Sequence, residues 1–373
     1  MKLLFSIDHL YLHGGAEKVL THRVNYLADK FDFDITIVTT EQNEKPPCYE
    51  LSNKIRIIDI KVNYKRDESY FSLKNIAKIP NHFRTLNQVI KKINPDVIIV
   101  LNYSFDFYWI PHIFKSIPKV KEYHSSRFYQ MELIKNDSFL KRTVNFFSNY
   151  TESKYNKIVV LNPTESNYYK NKNIEVIPNP IILNSQFADV SSKQVIAAGR
   201  IVPIKGFEKI IEVWEIVAKE YPDWKLNIYG QGEASYIDLL QNSIIRKNLE
   251  DSITIQPATH DLIEKMIQHS IYVMSSVSEC FPMVLLESLS VGLPIISFDC
   301  PTGPKNIITS NEDGFLVDNQ NINSLAEKII FLINHPNIRK EMSKKGKQNV
   351  IRFSEELIMN KWFSLLTNIT IKK

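Results

Sequence analysis

Apolar positions recur along this chain in two alternating rhythms. Unbroken apolar runs at 2–7 (KLLFSI), 35–40 (ITIVTT), 55–60, 97–101, 120–123, 157–161 and 174–177 predict strands buried on both faces. Between them the period lengthens to that of a helix, with Val19, Leu20, Val24 and Leu27 on one side of the first, and further helices expected at 73–93 and 139–149. The pattern then restarts. QVIAAG opens it, a helix follows with Phe207, Ile210, Ile211, Trp214 and Val217 on its apolar stripe, and KLNIY, 252–256, 271–274 and IISF supply more strands before late helices at 322–333 and 338–350. Strand and helix in strict alternation, twice over, predict an α/β protein with two doubly wound sheets.

The break between the two halves is SQFADVSSKQ, polar and without periodicity, which puts a linker at about 183–193. The expected division is 1–185, 193–352 and a tail, 353–373, whose amphipathic SEELIMNKWFSLL crosses back to pack on the first domain. A chain of 373 residues exceeds the size at which one core stops growing, and 44% hydrophobic residues exclude a disordered chain. Cys48, Cys280 and Cys300 have no ligand-like spacing and are expected as free thiols. The opening MKLLFSIDHLYLHGG is too polar past Ser6 for a signal peptide, and no apolar run approaches the roughly 20 residues of a membrane span, so a cytoplasmic location is expected. Charge is unevenly shared: residues 1–185 carry 26 Lys or Arg against 19 Asp or Glu, a balance of +7, and the remainder 20 against 22, a balance of −2. That asymmetry can draw the first half to an anionic ligand or membrane surface. Nucleic acid is excluded as a partner, because the cations are scattered and no finger, recognition-helix or RNA-binding signature accompanies them.

Candidate chemistry concentrates in SSVSECFPMVLLESLSVGLPIISFDCPTG, residues 275–303. Pro282 suits a helix entry and Gly292 its exit. Glu279 then lies just before the helix and Glu287 within it, among apolar neighbours, where a carboxylate needs a hydroxyl or amide partner. The free N–H groups around Cys280, Phe281 and Met283 form an anion site. Gly199-Arg200 and Lys205-Gly206 bracket an earlier strand-to-helix loop, and their cations suit a diphosphate, although the order of a Walker loop is absent. Gly14-Gly15 at the first strand end serves either a tight turn or close approach of a phosphate or sugar, and the G-x-G-x-x-G spacing is missing. Gly230 and Gly232 sit at another strand end. His124 and Arg127, after the strand at 120–123, are expected at the carboxyl end facing the crevice between domains; for His124 a core position fits equally. The aspartate pair in DFD, residues 32–34, precedes its strand and so belongs to the opposite edge of the sheet. No metal site is expected.

Several of these stretches together resemble one family. SECFPMVLLESLSVGLPIISFDCPTGPKNII, AAGRIVPIKGFEKIIEVW, GGAEKV and DGFLVD are similar to the motifs of the retaining, nucleotide-sugar-dependent glycosyltransferases called family 4, or glycosyl transferases group 1. The resemblance implies the GT-B architecture, two facing Rossmann-like domains with a cleft between them. It implies a nucleoside diphosphate-sugar donor, such as a UDP-sugar, bound by Gly14, Gly15, Arg200, Lys205, Gly230, Glu279, Cys280, Phe281, Pro282, Met283, Val284 and Glu287. Catalysis would fall to His124, Arg200, Lys205 and Glu279, with Glu287 on the ribose hydroxyls and no metal or other cofactor. The acceptor would be a glycan or lipid-linked saccharide of a cell-surface polysaccharide such as capsule or lipopolysaccharide. A peripheral position on the inner membrane face would follow from the basic first domain and from Tyr103, Phe105, Phe107, Tyr108 and Trp109, which core packing explains equally well. Two alternatives stand beside this reading. A glycoside hydrolase would need opposed carboxylates without a diphosphate clamp, and a non-catalytic nucleotide-sugar sensor would need the donor pocket alone.

Overall fold

The computed structural model describes residues 1–371 except 70, 102–103 and 136–138. Its first sheet has seven strands: β1 (Lys2–Ile7), β2 (Asp34–Thr39), β3 (Arg56–Asp59), β4 (Val97–Val100), β5 (Lys119–Glu122), β6 (Lys157–Val160) and β7 (Ile174–Val176). They lie side by side in the order 3-2-1-4-5-6-7, every pair parallel. The second sheet repeats the plan with β8 (Gln194–Ala198), β9 (Lys225–Tyr229), β10 (Ile253–Gln256), β11 (Ile271–Met274), β12 (Ile295–Phe298) and β13 (Gly314–Val317), in the order 10-9-8-11-12-13. Parallel pairing demands a crossover for each strand, and helices supply most of them, so the central strands are covered and apolar throughout. Val97–Val100, Ile271–Met274 and Ile295–Phe298 are buried at every position.

In each sheet the strand order reverses beside the first strand, between β1 and β4 and between β8 and β11. Loops leaving the carboxyl ends on either side of such a reversal must splay apart, opening the crevice in which ligands of this class of sheet bind. The loops after β11 and β12 meet those after β6 and β5, through Asn162 with Cys280 and Ser126 with Thr302.

The chain crosses between the sheets twice. Ile181 and Ser354 form a lone parallel bridge where the two crossings meet. Beyond it the helix Glu355–Ile371 places Ile358, Trp362, Leu365 and Leu366 in one apolar cluster with Leu3, Phe5, Leu20, Val24 and Ile99 of the first domain.

Two local expectations change. The single helix expected at 73–93 is broken into Leu73–Ile76 and Ile79–Ile93, because Pro80 lacks an N–H and is accommodated only in a helix's first turn. A helix Arg127–Lys135, which the apolar pattern did not announce, follows β5 directly.

Candidate functional site

Three loops of the second domain build one side of the crevice. After β8 the chain makes a short 3-10 turn, Pro203–Lys205, and leaves it through Gly206 in the left-handed region (φ 64°). A Cβ at Gly206 would lie 2.3 Å from the carbonyl oxygen of Ser275, so only glycine lets this loop close on the one after β11. Ser275 Oγ secures the approach by donating to the carbonyl oxygens of Lys205 (3.1 Å) and Gly206 (2.8 Å). The closure brings Lys205 Nζ to 2.5 Å from Glu279 Oε1, which also accepts from Ser276 Oγ at 2.7 Å. Arg200, on the same loop as Lys205, is exposed.

Glu279 is held from the third loop as well. It bridges to Thr302, whose Oγ1 donates to the Glu279 carbonyl at 2.6 Å. Past Pro282, the helix Met283–Ser290 begins with its first N–H groups without intrahelical partners, as every helix does. Met283 and Val284 are half-buried at this start. Cys280 and Phe281 send their side chains into the core, Phe281 against Phe353 at 5.5 Å, so they can offer a ligand only their backbone. Glu287 is 4% exposed, one turn further in.

The first domain closes the other side. Lys18, in the first turn of the helix Gly15–Lys30, reaches across and donates to Glu287 Oε1 at 2.5 Å. A side chain at Gly15 would project into open space, whereas at Gly14 it would meet the Glu17 carboxylate. Asn162 caps the short helix Pro163–Ser166 by accepting from the Glu165 N–H, and donates across the crevice to the Cys280 carbonyl at 2.8 Å. Thr302 meets Ser126 Oγ at 3.2 Å, and Thr164 meets Asn306 at the same distance. These contacts join the two domains along the crevice.

His124 follows β5, and its Nε2 lies 2.9 Å from Glu122 Oε1, close but off the line of a hydrogen bond. Arg127 does not face the crevice as expected. It is buried, donates to Glu152 Oε1 and to Asn149, and lies over the Tyr169 ring at 4.5 Å, because the helix it begins turns it inward. Burial alone would lower its pKa, but Glu152 beside it outweighs that and raises it. A Cβ at Gly230 would lie 2.1 Å from the Gly199 carbonyl, so its lack of one permits the loops after β8 and β9 to touch. Of the aromatics after β4, Phe105 and Phe107 are core, Tyr108 and Trp109 are half-buried, and Tyr103 lies outside the described residues.

Lys18, Ser276, Asn162 and Thr302 were not singled out from the sequence. Lys18 had a readable signal, a cation one turn into a helix entered by two glycines, and Asn162 had another, the capping order Asn-Pro-Thr-Glu. Among the described residues no group of three or more His, Cys, Asp or Glu could hold a metal ion, and the aspartate turn is taken up by surface pairs, Asp34 with Arg56 at 2.6 Å. All three cysteines are free.

Comparison with known proteins adds independent findings. Residues 13–185 match the family described as Glycosyltransferase Family 4, and residues 180–349 the one described as Glycosyl transferases group 1. An uncharacterized glycosyltransferase of Haemophilus influenzae is 29% identical over 98% of this chain and 99% of its own. The amylovoran biosynthesis glycosyltransferase AmsD of Erwinia amylovora is 28% identical over the same shares, 98% and 99%. Among solved structures, sucrose-phosphate synthase from Thermosynechococcus elongatus superposes with a TM-score of 0.84 at 17% identity, over 100% of both chains. A mutant of S. aureus TarM in complex with fondaparinux, alpha-GlcNAc-glycerol and UDP does so with 0.77 at 17% identity, over 98% of this chain and 99% of that one.

Proposed function

Because the chain belongs to the GT-B glycosyltransferases of family 4 and group 1, and is therefore a sugar-transferring enzyme rather than a hydrolase, we propose a specific reaction for it. It moves a hexose or N-acetylhexosamine, with retention, from a UDP-sugar to a hydroxyl of a glycan or lipid-linked saccharide in cell-surface polysaccharide synthesis. The observation that carries this reading is the Lys205–Glu279 pair just ahead of the helix Met283–Ser290, on the loop that also carries the exposed Arg200. An ammonium has three donors, and Lys205 uses one on Glu279, which leaves two for a diphosphate together with the exposed guanidinium of Arg200. Cleavage of the sugar–phosphate bond places negative charge on the leaving phosphate. The two cations and the helix N–H groups then bind the transition state more tightly than the ground state, without a metal ion.

The remaining groups divide the donor between them. Glu287 takes the ribose hydroxyls, with one carboxylate oxygen on Lys18 and the other free to accept. Glu279 and His124 contact the sugar, Gly14 and Gly15 let it approach the first domain, and Pro282, Met283 and Val284 with the backbone of Cys280 and Phe281 line the pocket. UDP as the nucleotide draws support from the TarM complex. In this proposal residues 1–185 hold the acceptor, 193–352 the donor, and 353–373 tie the second domain to the first.

A lipid-linked acceptor would place the enzyme at the cytoplasmic membrane face. No described helix is long and apolar enough to cross a membrane. The first domain instead presents exposed Phe71, Leu73, Phe83, Phe146, Phe147 and Tyr150, with Lys154 over the Tyr150 ring. Apolar side chains beside cations suit an anionic interface. The test of the whole reading is a nucleotide-sugar screen by donor hydrolysis and saturation-transfer NMR. Binding of UDP and turnover of one UDP-sugar are expected; turnover of unactivated glycosides with no nucleotide binding would overturn it.

A further inference from the structure

Behind His124 lies a chain of buried contacts that no step above uses. Arg23, on the helix Gly15–Lys30, donates from both terminal nitrogens to Glu122, Nη1 to Oε1 at 2.7 Å and Nη2 to Oε2 at 2.6 Å, and each partner is 1% exposed. Its guanidinium lies 4.1 Å from the ring of Trp362, on the C-terminal helix, and 5.5 Å from that of Phe5. A planar fork matched to a carboxylate and stacked on an indole has very few alternative placements. Glu122 in turn touches His124 Nε2 with the Oε1 that Arg23 also holds. Burial by itself would raise the Glu122 carboxyl, but Arg23 and His124 outweigh it and hold the group well below the usual carboxylate range. Glu122 is thus an anion, and at 2.9 Å it attracts a ring N–H and repels a ring lone pair even off the line of a hydrogen bond, which favours the proton on Nε2.

We propose that Arg23 and Glu122 are positioning residues for His124, locked in place by Trp362, and that they commit Nε2–H to Glu122 so that Nδ1 is the atom offered to the donor sugar. This rests on the reading that His124 contacts the sugar. It gives the C-terminal helix a task beyond tying the domains together: its indole sets how freely the Arg23–Glu122 pair, and through it the imidazole, can move.

The experiment uses the full chain with ring-labelled histidine, and two measurements. In the parent, nitrogen shifts of His124 should report the Nε2–H tautomer. In Glu122→Gln, whose amide can either accept from or donate to the ring, they should report a mixture. The double variant Arg23→Leu/Glu122→Leu removes the pair without stranding a buried charge, and should do the same. Turnover of UDP-glucose or UDP-N-acetylglucosamine, whichever is used, should fall by roughly tenfold or more in both variants, with KM for the donor changed less than about threefold. In a His124→Ala background the same substitutions should cost nothing further, since they act through the ring. An unchanged tautomer, or an equal loss of turnover with and without His124, would overturn the proposal. If the parent turns over no UDP-hexose or UDP-N-acetylhexosamine, the reaction proposed above fails, and the tautomer still decides whether the ring is positioned.

Discussion

Charged residues gather at the carboxyl ends of both sheets, but on opposite terms. In the second domain Lys205 and Glu279 keep 22% and 10% of their side-chain surface, and Arg200 stands open. In the first, Arg23–Glu122 and Arg127–Glu152 are sealed, with Glu122 and Glu152 each 1% exposed. An ion pair within reach of solvent can exchange its partner for a ligand at small cost, whereas a sealed pair must keep its partner or leave a charge stranded. The Lys205–Glu279 pair can therefore trade partners with a ligand, whereas the two sealed pairs of the first domain can only hold other groups in place.

The sharpest way to break that comparison is to strand a sealed charge. Glu152→Ala leaves Arg127 buried without its carboxylate, and also removes the acceptor of the Tyr123 hydroxyl, at 2.8 Å. A loss of about 3–5 kcal/mol is expected, read as a drop in the denaturant midpoint with unchanged slope. Stability like the parent's would show that water reaches the pair. Acid unfolding tests the same idea at Glu122. A carboxyl held below its unfolded value, about 4.3 for glutamate, stabilises the fold above that pH. The contribution disappears as the pH falls through the folded value. The Arg23→Leu/Glu122→Leu double variant should accordingly lose stability less steeply below about pH 4 than the parent.

Open charges should behave in the reverse way. Arg200→Ala and Lys205→Ala are each expected to lower turnover by roughly tenfold or more, about 1.4 kcal/mol of transition-state binding, while leaving the melting temperature nearly unchanged. Normal turnover in both would remove the diphosphate assignment. Glu279→Gln should follow them in turnover, and Glu287→Gln should instead weaken UDP itself, by calorimetry, because ribose hydroxyls are held equally in ground and transition states. Equal UDP affinity in both glutamine variants would sink the ribose role.

What could be read from the sequence follows the same divide. The alternation of strands and helices, the restart after 185, and the loops carrying Arg200, Lys205, Glu279 and Glu287 were legible. Each depends on spacing within one short stretch: a proline that starts a helix, a glycine that ends it, a carboxylate one turn in. Partners from distant stretches were not. Lys18 meets Glu287 across 269 positions and Asn162 meets Cys280 across 118, and periodicity carries no information about which loop faces which. Arg127 shows the limit most plainly, since its direction depended on a helix whose residues, RFYQMELIK, have no clean apolar stripe.

The smallest expected effect concerns the one pair that joins the two regimes. Lys18 is half-exposed, with 47% of its side-chain surface free, while Glu287 has 5%. Its lysine belongs to the first domain and its carboxylate to the donor pocket. A nucleotide that takes Glu287 with its ribose competes with Lys18 for the carboxylate. The exposed ammonium itself contributes little, but its loss leaves a carboxylate of 5% exposure without its cation, so Lys18→Ala should lower the melting temperature by a few degrees. Its effect on UDP should be a gain of about two- to fivefold in affinity, because less than about 1 kcal/mol of competing contact is removed. The sign is the informative part. A loss of affinity would mean that Lys18 turns to the phosphates once Glu287 is occupied, making it a donor ligand contributed by the first domain. The contrast between a domain that binds and a domain that positions would then have to be redrawn at this residue.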